Sequence, residues 1–560
     1  MKQKNVKQRF WGLASVRAAL LLPLLLFAAI HGVSAGGRGG ESAAPRGTQA
    51  AAPGPFGAYT PPIELTAVKN LGAGNLLFPP GDSIDNNVWT RYYQEVLGVK
   101  VKYTWTTNEQ QYAQKVNIAI TSNDIPDIMM VNNVQLKMMH ENGQARDMTA
   151  ILPEYLAPFT REVIYQDNGD AIKSATFDGK LYAIPLTGFG LSSAMVLWVR
   201  TDWLTRLGLS IPKTPEEFLA VANAFTNRDP DGNGRKDTFG LAVYKDLFEG
   251  GFACLEGFFN MYGAYPHIWV PSGAGLEFGS VQPAAKTALG VLQDMYRAGL
   301  LDPEFGVKDA LKVAEDVMAG RFGLMFGQFW NAAWINAAKV ANPAIEWVPV
   351  SIPFSAAGKA QMPFGTTSYA VISARSKNPE AAVKLLNLQL EKTYGATAES
   401  TRFNITPDGF SPYAYTVLGI EPGMKNFDAA AAVSSAINNR DPSRLNEEQL
   451  NYYEMSLKSL AGDHDNNNWH QLKMFGPGGS LTVIRGYWDR GKVQPDQFFG
   501  VPTPAMTEKL STLNKQVLTD YTGIILGTPL DSGWDSFIRS FGVLGGSRMT
   551  AEVNEWYRAR

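Results

Sequence analysis

Between residues 63 and 131 the hydrophobic period of the chain alternates in a way that few folds accommodate. Ile63-Glu64-Leu65-Thr66-Ala67-Val68 reads as a strand. Asn86 to Leu97 reads as a helix with Val88, Tyr92, Tyr93 and Val96 on one face. Val99-Lys100-Val101-Lys102-Tyr103 alternates apolar and polar residues and predicts a second strand. Tyr112 to Ile120 predicts another helix, and Pro126 to Val131 a short buried strand. This β-α-β-α-β order implies a parallel sheet covered by helices on both faces, because a parallel pair needs a crossover that packs back on the sheet. In such sheets ligands bind at the carboxyl ends of the strands.

The pattern then changes partners. Asp178 to Pro185 reads as a turn and strand, and Val196-Leu197-Trp198-Val199-Arg200 as another strand. Thr201 is the expected cap of a helix running from Asp202 to Leu207. Thr214-Pro215-Glu216-Glu217 places a cap, an N1 proline and an acidic first turn before an apolar-periodic run to Phe225. Residues from about 282 to 340 are helical in pattern. Met362 to Ser373 returns to strand, and Asn378-Pro379-Glu380 opens a helix through Leu390. The chain leaves one α/β unit, builds a second and comes back, which predicts two lobes, several crossings and a cleft between them. The expected boundaries are 59–185 for the first part of lobe one and 186–360 for lobe two. Residues 361–560 would return to both lobes and the hinge.

Composition excludes some functions. A formal net charge of −2 gives no electrostatic case for nucleic acid. The 560 residues include 13 Trp and 21 Tyr, a surplus that suits stacking on sugar rings as well as core packing. The one cysteine, Cys254, sits in the apolar run Gly251 to Leu255 and reads as a buried small hydrophobe, so no disulfide can form within the chain. Lys2, Lys4, Lys7, Arg9 and Arg17 precede an apolar run from Ala18 to Ile30. Val33-Ser34-Ala35 then offers small residues for cleavage before Gly36. Residues 1–35 are thus expected to be a secretory signal peptide, the alternative being an uncleaved anchor, and Gly-, Ala- and Pro-rich residues 36–58 a flexible tether.

Asp229-Pro230-Asp231-Gly232-Asn233-Gly234-Arg235-Lys236-Asp237 carries oxygen donors at alternate positions, Asp229, Asp231, Asn233 and Asp237. The Arg235 carbonyl would add another. Ca²⁺ takes about 6–8 oxygens, and this spacing supplies most of them. Gly240 stands where a signalling EF-hand has its bidentate Glu, so the expectation is a structural Ca²⁺ site, not a sensor. The alternative is a metal-free turn rich in Asp, Asn and Gly.

A wider set of residues resembles a known family. Asp178-Gly-Lys-Leu-Tyr-Ala-Ile-Pro185 leads to Trp198-Val-Arg200, Trp203-Leu204 and Leu207-Gly-Leu-Ser-Ile-Pro-Lys-Thr-Pro215. The Asp-rich loop follows, then Gly299-Leu-Leu-Asp-Pro-Glu-Phe305, Ala319-Gly-Arg-Phe-Gly323 and Phe326-Gly-Gln-Phe-Trp330. Lys377 to Ala382, Phe475 to Ser480, Phe498 to Pro504, Leu544-Gly-Gly-Ser and Glu552 to Tyr557 complete the order. The chain resembles the bacterial extracellular solute-binding proteins of family 1, receptor subunits of ABC importers. The similar branch holds the LipO-type lipoproteins and the alginate- and aldouronate-type oligosaccharide receptors. The resemblance implies a periplasmic-binding-protein-like α/β fold of two lobes on a multi-crossing hinge. It also implies a carbohydrate ligand, oligosaccharide or uronate, in the inter-lobe cleft, and permease transmembrane subunits as partners of a monomer. The implied location is periplasmic or extracellular; the lipobox cysteine of Gram-positive members is missing near Gly36. Thr238 stands where alginate-type receptors carry a further acidic Ca²⁺ ligand, which lowers the expected affinity.

In this family the strand end before Trp330 faces the cleft. Trp330 would stack on a sugar, Gln328 and Asn331 would reach hydroxyls, and Trp334 shares the helical face. Tyr262, Tyr265 and Trp269 form an aromatic stretch, and Phe189 and Tyr369 lie in glycine-flanked loops. Asn86 and Trp89 open the first helix, where free N–H groups attract oxygens. Each has a packing role as its alternative. His464 and His470 read as loop residues, not metal ligands. Enzyme motifs are missing: His140-Glu141 lacks the second His of H-E-x-x-H, and there is no G-x-S-x-G, Walker A or G-x-G-x-x-G. The expectation is a binding protein without chemistry. A glycan hydrolase, which needs only two carboxylates, and a sensor co-receptor are the alternatives.

Overall fold

The computed structural model describes residues 54–71, 78–188, 190–404, 406, 411–465 and 467–560. The expected signal peptide, most of the tether and Phe189 lie outside the described residues. Eleven strands define the framework. They are β1 (Ile63–Asn70), β2 (Val99–Thr107), β3 (Ile128–Val131), β4 (Ile184–Leu186), β5 (Val196–Arg200), β6 (Phe239–Leu241), β7 (Phe322–Gly327), β8 (Trp347–Val350), β9 (Ala360–Met362), β10 (Ser368–Ile372) and β11 (Val493–Pro495).

The first sheet has the order β2-β1-β3-β10-β4. β1 runs parallel to β2, with Ile63 opposite Val99, and parallel to β3, with Ala67 opposite Ile128. Val99, Val101 and Tyr103 of β2 are buried while Lys100, Lys102 and Thr104 face solvent, as the alternation requires of an edge strand with one wet face. β10 is antiparallel to β3 and to β4, placing Tyr369 between Val131 and Pro185. The second sheet has the order β8-β5-β7-β6. β5 is buried at every residue and β7 likewise, which explains their unbroken apolar runs.

Two hydrophobic cores follow from these sheets. One gathers residues from Tyr59 to Ile184 and from Tyr369 to Ile420. The other gathers residues from Leu191 to Ala360 and from Phe427 to Val553. The chain therefore crosses between lobes three times, near 185–190, 361–368 and 420–427. The segment expected as one strand from Met362 to Ser373 is split by the second crossing. β9 pairs with β11, β10 joins the first sheet, and Pro363, which has no N–H to donate, begins the break between them. Two helix starts shift. The helix expected from Asn86 begins at Val88 and is capped by Asn87, its Oδ1 accepting from the N–H groups of Trp89 and Thr90. Thr201 is the first helical residue and Arg200 the cap position. Thr214 caps helix Pro215–Asn227 as expected, accepting from Glu217 N.

Candidate functional site

A cavity of about 560 Å³ opens between the lobes. The first lobe contributes Asn133 and Val134, directly after β3, and Tyr369 of β10; the crossing contributes Thr366 and Thr367. The second lobe contributes Phe248, Glu256, His267 and Trp269, together with Phe498, Phe499 and Asn514 from the returning chain. Each wall has a local cause. Asn132 caps helix Asn133–Glu141 and sets that helix start at the carboxyl end of β3. His267 adopts a left-handed backbone (φ 68°) that turns its ring inward, edge-on to Phe248 at 5.1 Å and stacked with Phe278 at 6.3 Å. Asp496 accepts from the backbone N–H groups of Trp269 and Phe498, tying hairpin strand Trp269–Ser272 to the returning segment.

Four polar atoms of this wall are shut off from solvent and have no hydrogen-bond partner: Glu256 Oε1, His267 Nε2, Thr366 Oγ1 and Asn514 Oδ1. Buried polar groups are almost always paired, and leaving one unpaired costs about 1–3 kcal/mol. Such atoms occur in the cores as well, at Trp89 Nε1 and Trp203 Nε1 for example, and these four belong to residues that share one cavity. Burial raises the Glu256 carboxyl to about 8 and lowers the His267 imidazole to about 4. Both groups are uncharged at neutral pH. Burial also raises Asp496 to about 7. Apart from Asp496, which is part-ionised at pH 7, the wall's titrating groups are neutral and are framed by apolar and aromatic surface.

Two further cavities share walls with this one. A cavity of about 490 Å³ lies at the carboxyl ends of β1 and β3, lined by Lys69, Asn70, Asn132 and Gln135, and meets the central one at Thr367. Another of about 360 Å³ is bounded by Gln166, Asp167, Asn168 and the exposed ring of Trp488, and shares Pro363, Phe364, Asp496 and Phe499 with it. Together they form a groove along the inter-lobe crossing. The crossing itself is thin: Gly188 N donates to Gly365 O at 3.1 Å, and a Cβ on Gly365 would stand 2.1 Å from Gly188 O.

The expected site residues divide three ways. Trp269 and Tyr369 line the central cavity. Both are buried and partly committed, Tyr369 O–H donating to Ser174 Oγ at 2.9 Å. Several expectations are corrected. Trp89 is fully buried in the first core against Tyr93 and Phe403, because the helix face it shares with Tyr93 turns inward. Asn86 is exposed and engaged with Ser83 and Arg91. Asn331 is fully buried, its Nδ2 donating to Gly251 O, because its amide packs over Gly327. Tyr265 is buried and donates to Ala357 O. Trp330, Gln328, Trp334 and Tyr262 are half-buried and off the described cavity wall. Trp330 Nε1 donates to Gln328 Oε1 at 2.7 Å, Trp334 stacks on Phe252 at 5.1 Å, and Tyr262 packs on Phe258. Glu256, His267, Thr366 and Asn514 went unflagged because they come from four distant stretches. Nothing local marks them; the scarcity of His, with five in the chain, is the one signal that could have pointed to His267.

Residues 78–396 match the profile described as bacterial extracellular solute-binding protein. The chain belongs to this family. Among curated relatives of this solute-binding protein is lipoprotein LipO of Bacillus subtilis, 23% identical over 499 residues, 86% of this chain and 91% of the relative. Among solved structures, the alginate-binding protein AlgQ2 without calcium ion aligns with a TM-score of 0.58 and 15% identity, covering 89% of this chain and 98% of the other. An EF-hand mutant of the Streptococcus pneumoniae ABC-transporter substrate-binding protein FusA, in complex with fructo-nystose, aligns with a TM-score of 0.59 and 18% identity over 89% and 99%. These likenesses show that the two-lobe periplasmic-binding-protein-like fold is shared, and both solved neighbours carry the name of binding proteins.

In this solute-binding protein the Asp-rich loop joins helix Pro215–Asn227 to β6. Asp229 Oδ1 and Oδ2 accept from Asn233 N and Gly234 N, and Arg235 N donates to Asn233 Oδ1. Asn233 Nδ2 donates to Asp231 Oδ2 at 2.8 Å and to Asp237 Oδ1 at 3.1 Å. Its amide N–H groups bridge the two carboxylates but carry no net charge to offset theirs. Burial and the neighbouring carboxylates of Asp237 and Asp229 push Asp231 above its ordinary value. Among the described residues no three His, Cys, Asp or Glu side chains are gathered as a metal cluster, so Asp229, Asp231, Asp237, Asn233 with its amide turned over and the Arg235 carbonyl would have to close together to hold Ca²⁺. Thr238 is not a ligand, since its buried hydroxyl donates to Phe225 O.

Proposed function

We propose that this protein is the extracytoplasmic substrate-binding subunit of an ABC importer and captures an oligosaccharide in the inter-lobe groove for delivery to a membrane permease. The observation that carries the reading is the central cavity, where four unpaired buried polar atoms stand beside the rings of Trp269, Phe498 and Phe499. Sugars match that chemistry: hydroxyls both donate and accept, and the C–H faces of a pyranose or furanose lie against aromatic rings. Cavities of about 300–1,000 Å³ each hold one small ligand, so three in series suit a chain of sugar units more than a single one. Trp330 and Trp334, half-exposed after the carboxyl end of β7, add a stacking surface to this reading. The family and the sugar-bound FusA neighbour support it. The site holds the sugar and performs no reaction on it. We further read the Asp-rich loop as a structural Ca²⁺ site, supported by its donor set and by neighbours described through a calcium ion or an EF-hand.

The test is calorimetric titration of the purified protein with a panel of di-, tri- and tetrasaccharides, followed by chromatography of the recovered sugar. Binding of a tri- or tetrasaccharide that is recovered intact is the expected result. No binding across the panel, or cleavage of the bound sugar, overturns the proposal.

A further inference from the structure

Resting on the saccharide reading above, we infer that the central cavity of the groove selects uncharged sugar units and rejects a uronate, with Glu256, His267 and Thr366 as its specificity-determining residues. Charge on the wall carries the argument. Among the described residues no Lys or Arg lines the central cavity, and the acidic side chains there are Glu256 and Asp496. The cavity beside Trp488 adds Asp167 and Asp170 and again no cation. Two cations pack against wall residues without themselves lining the central cavity. Lys173 sits over the Phe499 ring and pairs with Asp170 at 2.7 Å, and Arg560 lies over the same ring at 4.3 Å. The far cavity at β1 and β3 does hold a cation, Lys69, whose Nζ donates to the neutral Thr416 O, so the selection is confined to the central cavity.

An ionised sugar carboxylate placed in the central cavity would leave water and meet no counter-charge. Taking an ion out of water costs several kcal/mol unless a partner of opposite sign meets it. His267 could supply that charge only as an imidazolium, and its ring, enclosed by Phe248 and Phe278, is held neutral by burial. Asp496, facing the same space, titrates near 7, so its ionised form adds repulsion to any second carboxylate. A hydroxyl meets none of these costs. It can donate to His267 Nε2 or Asn514 Oδ1, and it can accept from Glu256, whose carboxyl keeps its proton at neutral pH, or from Thr366.

Methyl esterification removes the charge of a uronate and leaves the chain, which gives a matched probe. The full chain is titrated at pH 7 with trigalacturonate, with its methyl ester, and with neutral 1-kestose, maltotriose, cellotriose and xylotriose. The expected result is that the tightest neutral sugar binds at least about thirtyfold more tightly than free trigalacturonate. A smaller ratio, or free trigalacturonate binding more tightly than its ester, overturns the charge selection while leaving the saccharide reading intact. Absence of binding to every probe overturns both. For whichever neutral sugar binds, Thr366→Val and His267→Ala should each weaken it by about tenfold with an unaltered far-UV spectrum. Unchanged affinity in both variants would mean that the ligand sits elsewhere and would overturn the assignment of these residues.

Discussion

At the scale of single residues, the cavity concentrates titrating groups whose surroundings oppose their charged forms. Folded Glu256 keeps its proton up to about 8, whereas in the unfolded chain it loses it near the ordinary carboxyl value of 4.5. Between these values the folded state binds the extra proton, so stability is fully present below 4.5 and declines as pH rises towards 8, by at most about 1.4 kcal/mol per pH unit. His267 works the other way. Its folded value near 4 lies below the ordinary 6.5, so it adds stability as pH rises from 4 to 6.5. His470, also lowered to about 4 by burial, acts in the same direction. Above 6.5 the histidine contributions are complete and the declines from Glu256 and, through about 7, Asp496 remain, that of Glu256 being the larger between pH 7 and 8. We predict that urea unfolding shows wild-type stability falling from pH 7 to 8 and that Glu256→Gln flattens this fall; an equally steep decline in the variant would remove Glu256 as its source. Two tryptophans separate packing from binding. Trp89→Ala should cost about 3–5 kcal/mol of stability, as a fully buried ring does. Trp330→Ala should weaken sugar binding by about 2 kcal/mol with a small change in melting temperature. If Trp330→Ala binds as wild type and melts much lower, its ring serves the second core alone.

At the scale of elements, two connections do more than join neighbours. The loop Asp229–Asp237 ties a helix to β6, and the carboxylates of Asp229, Asp231 and Asp237 converge there on one side-chain amide and two backbone N–H groups. Bound Ca²⁺ would stabilise only the folded loop, by about 2.7 kcal/mol at a concentration 100 times Kd. Chelator should therefore lower the melting temperature, and Asp231→Ala should lower it and abolish the response. A melting curve that chelator leaves unmoved, with no calcium in elemental analysis, would leave a hydrogen-bonded turn. The other connection is the glycine contact at the crossing. Gly188 and Gly365 meet backbone to backbone, and a methyl at 365 would have to push the two crossing segments apart. Gly365→Ala should cost about 1–3 kcal/mol, as overpacking does. It should also lower sugar affinity, because Thr366 is displaced with it. Wild-type stability and affinity in this variant would show that the crossing has slack.

At the scale of the whole molecule, two cores joined by three thin crossings permit a hinge motion about a shared groove. A ligand that touches both lobes favours the closed arrangement by its extra contacts there. Small-angle scattering should show a smaller radius of gyration at saturating sugar, and an unchanged radius under conditions where calorimetry reports full occupancy would exclude closure.

Local patterns along the chain were enough to specify β1, β2, β3 and β5, the helices Val88–Leu97, Glu109–Ser122, Pro215–Asn227 and Glu380–Tyr394 to within a few residues, and the Asp-rich loop. Each of these depends on side-chain period, caps and donor spacing within about ten residues, and such information is written contiguously. Burial was not contiguous. Trp89 and Trp330 look alike as aromatic residues near element ends, yet one is enclosed by Tyr93 and Phe403 and the other is left half-open by its neighbours. The central cavity depends still more on distant parts. Glu256, His267, Thr366 and Asn514 span more than 250 positions of the chain, and their unpaired atoms acquire meaning only when the returning helix Pro504–Leu526 lies against both the second lobe and the crossing. An unsatisfied hydrogen-bonding group is defined by what fails to surround it, so only the tertiary structure could reveal one.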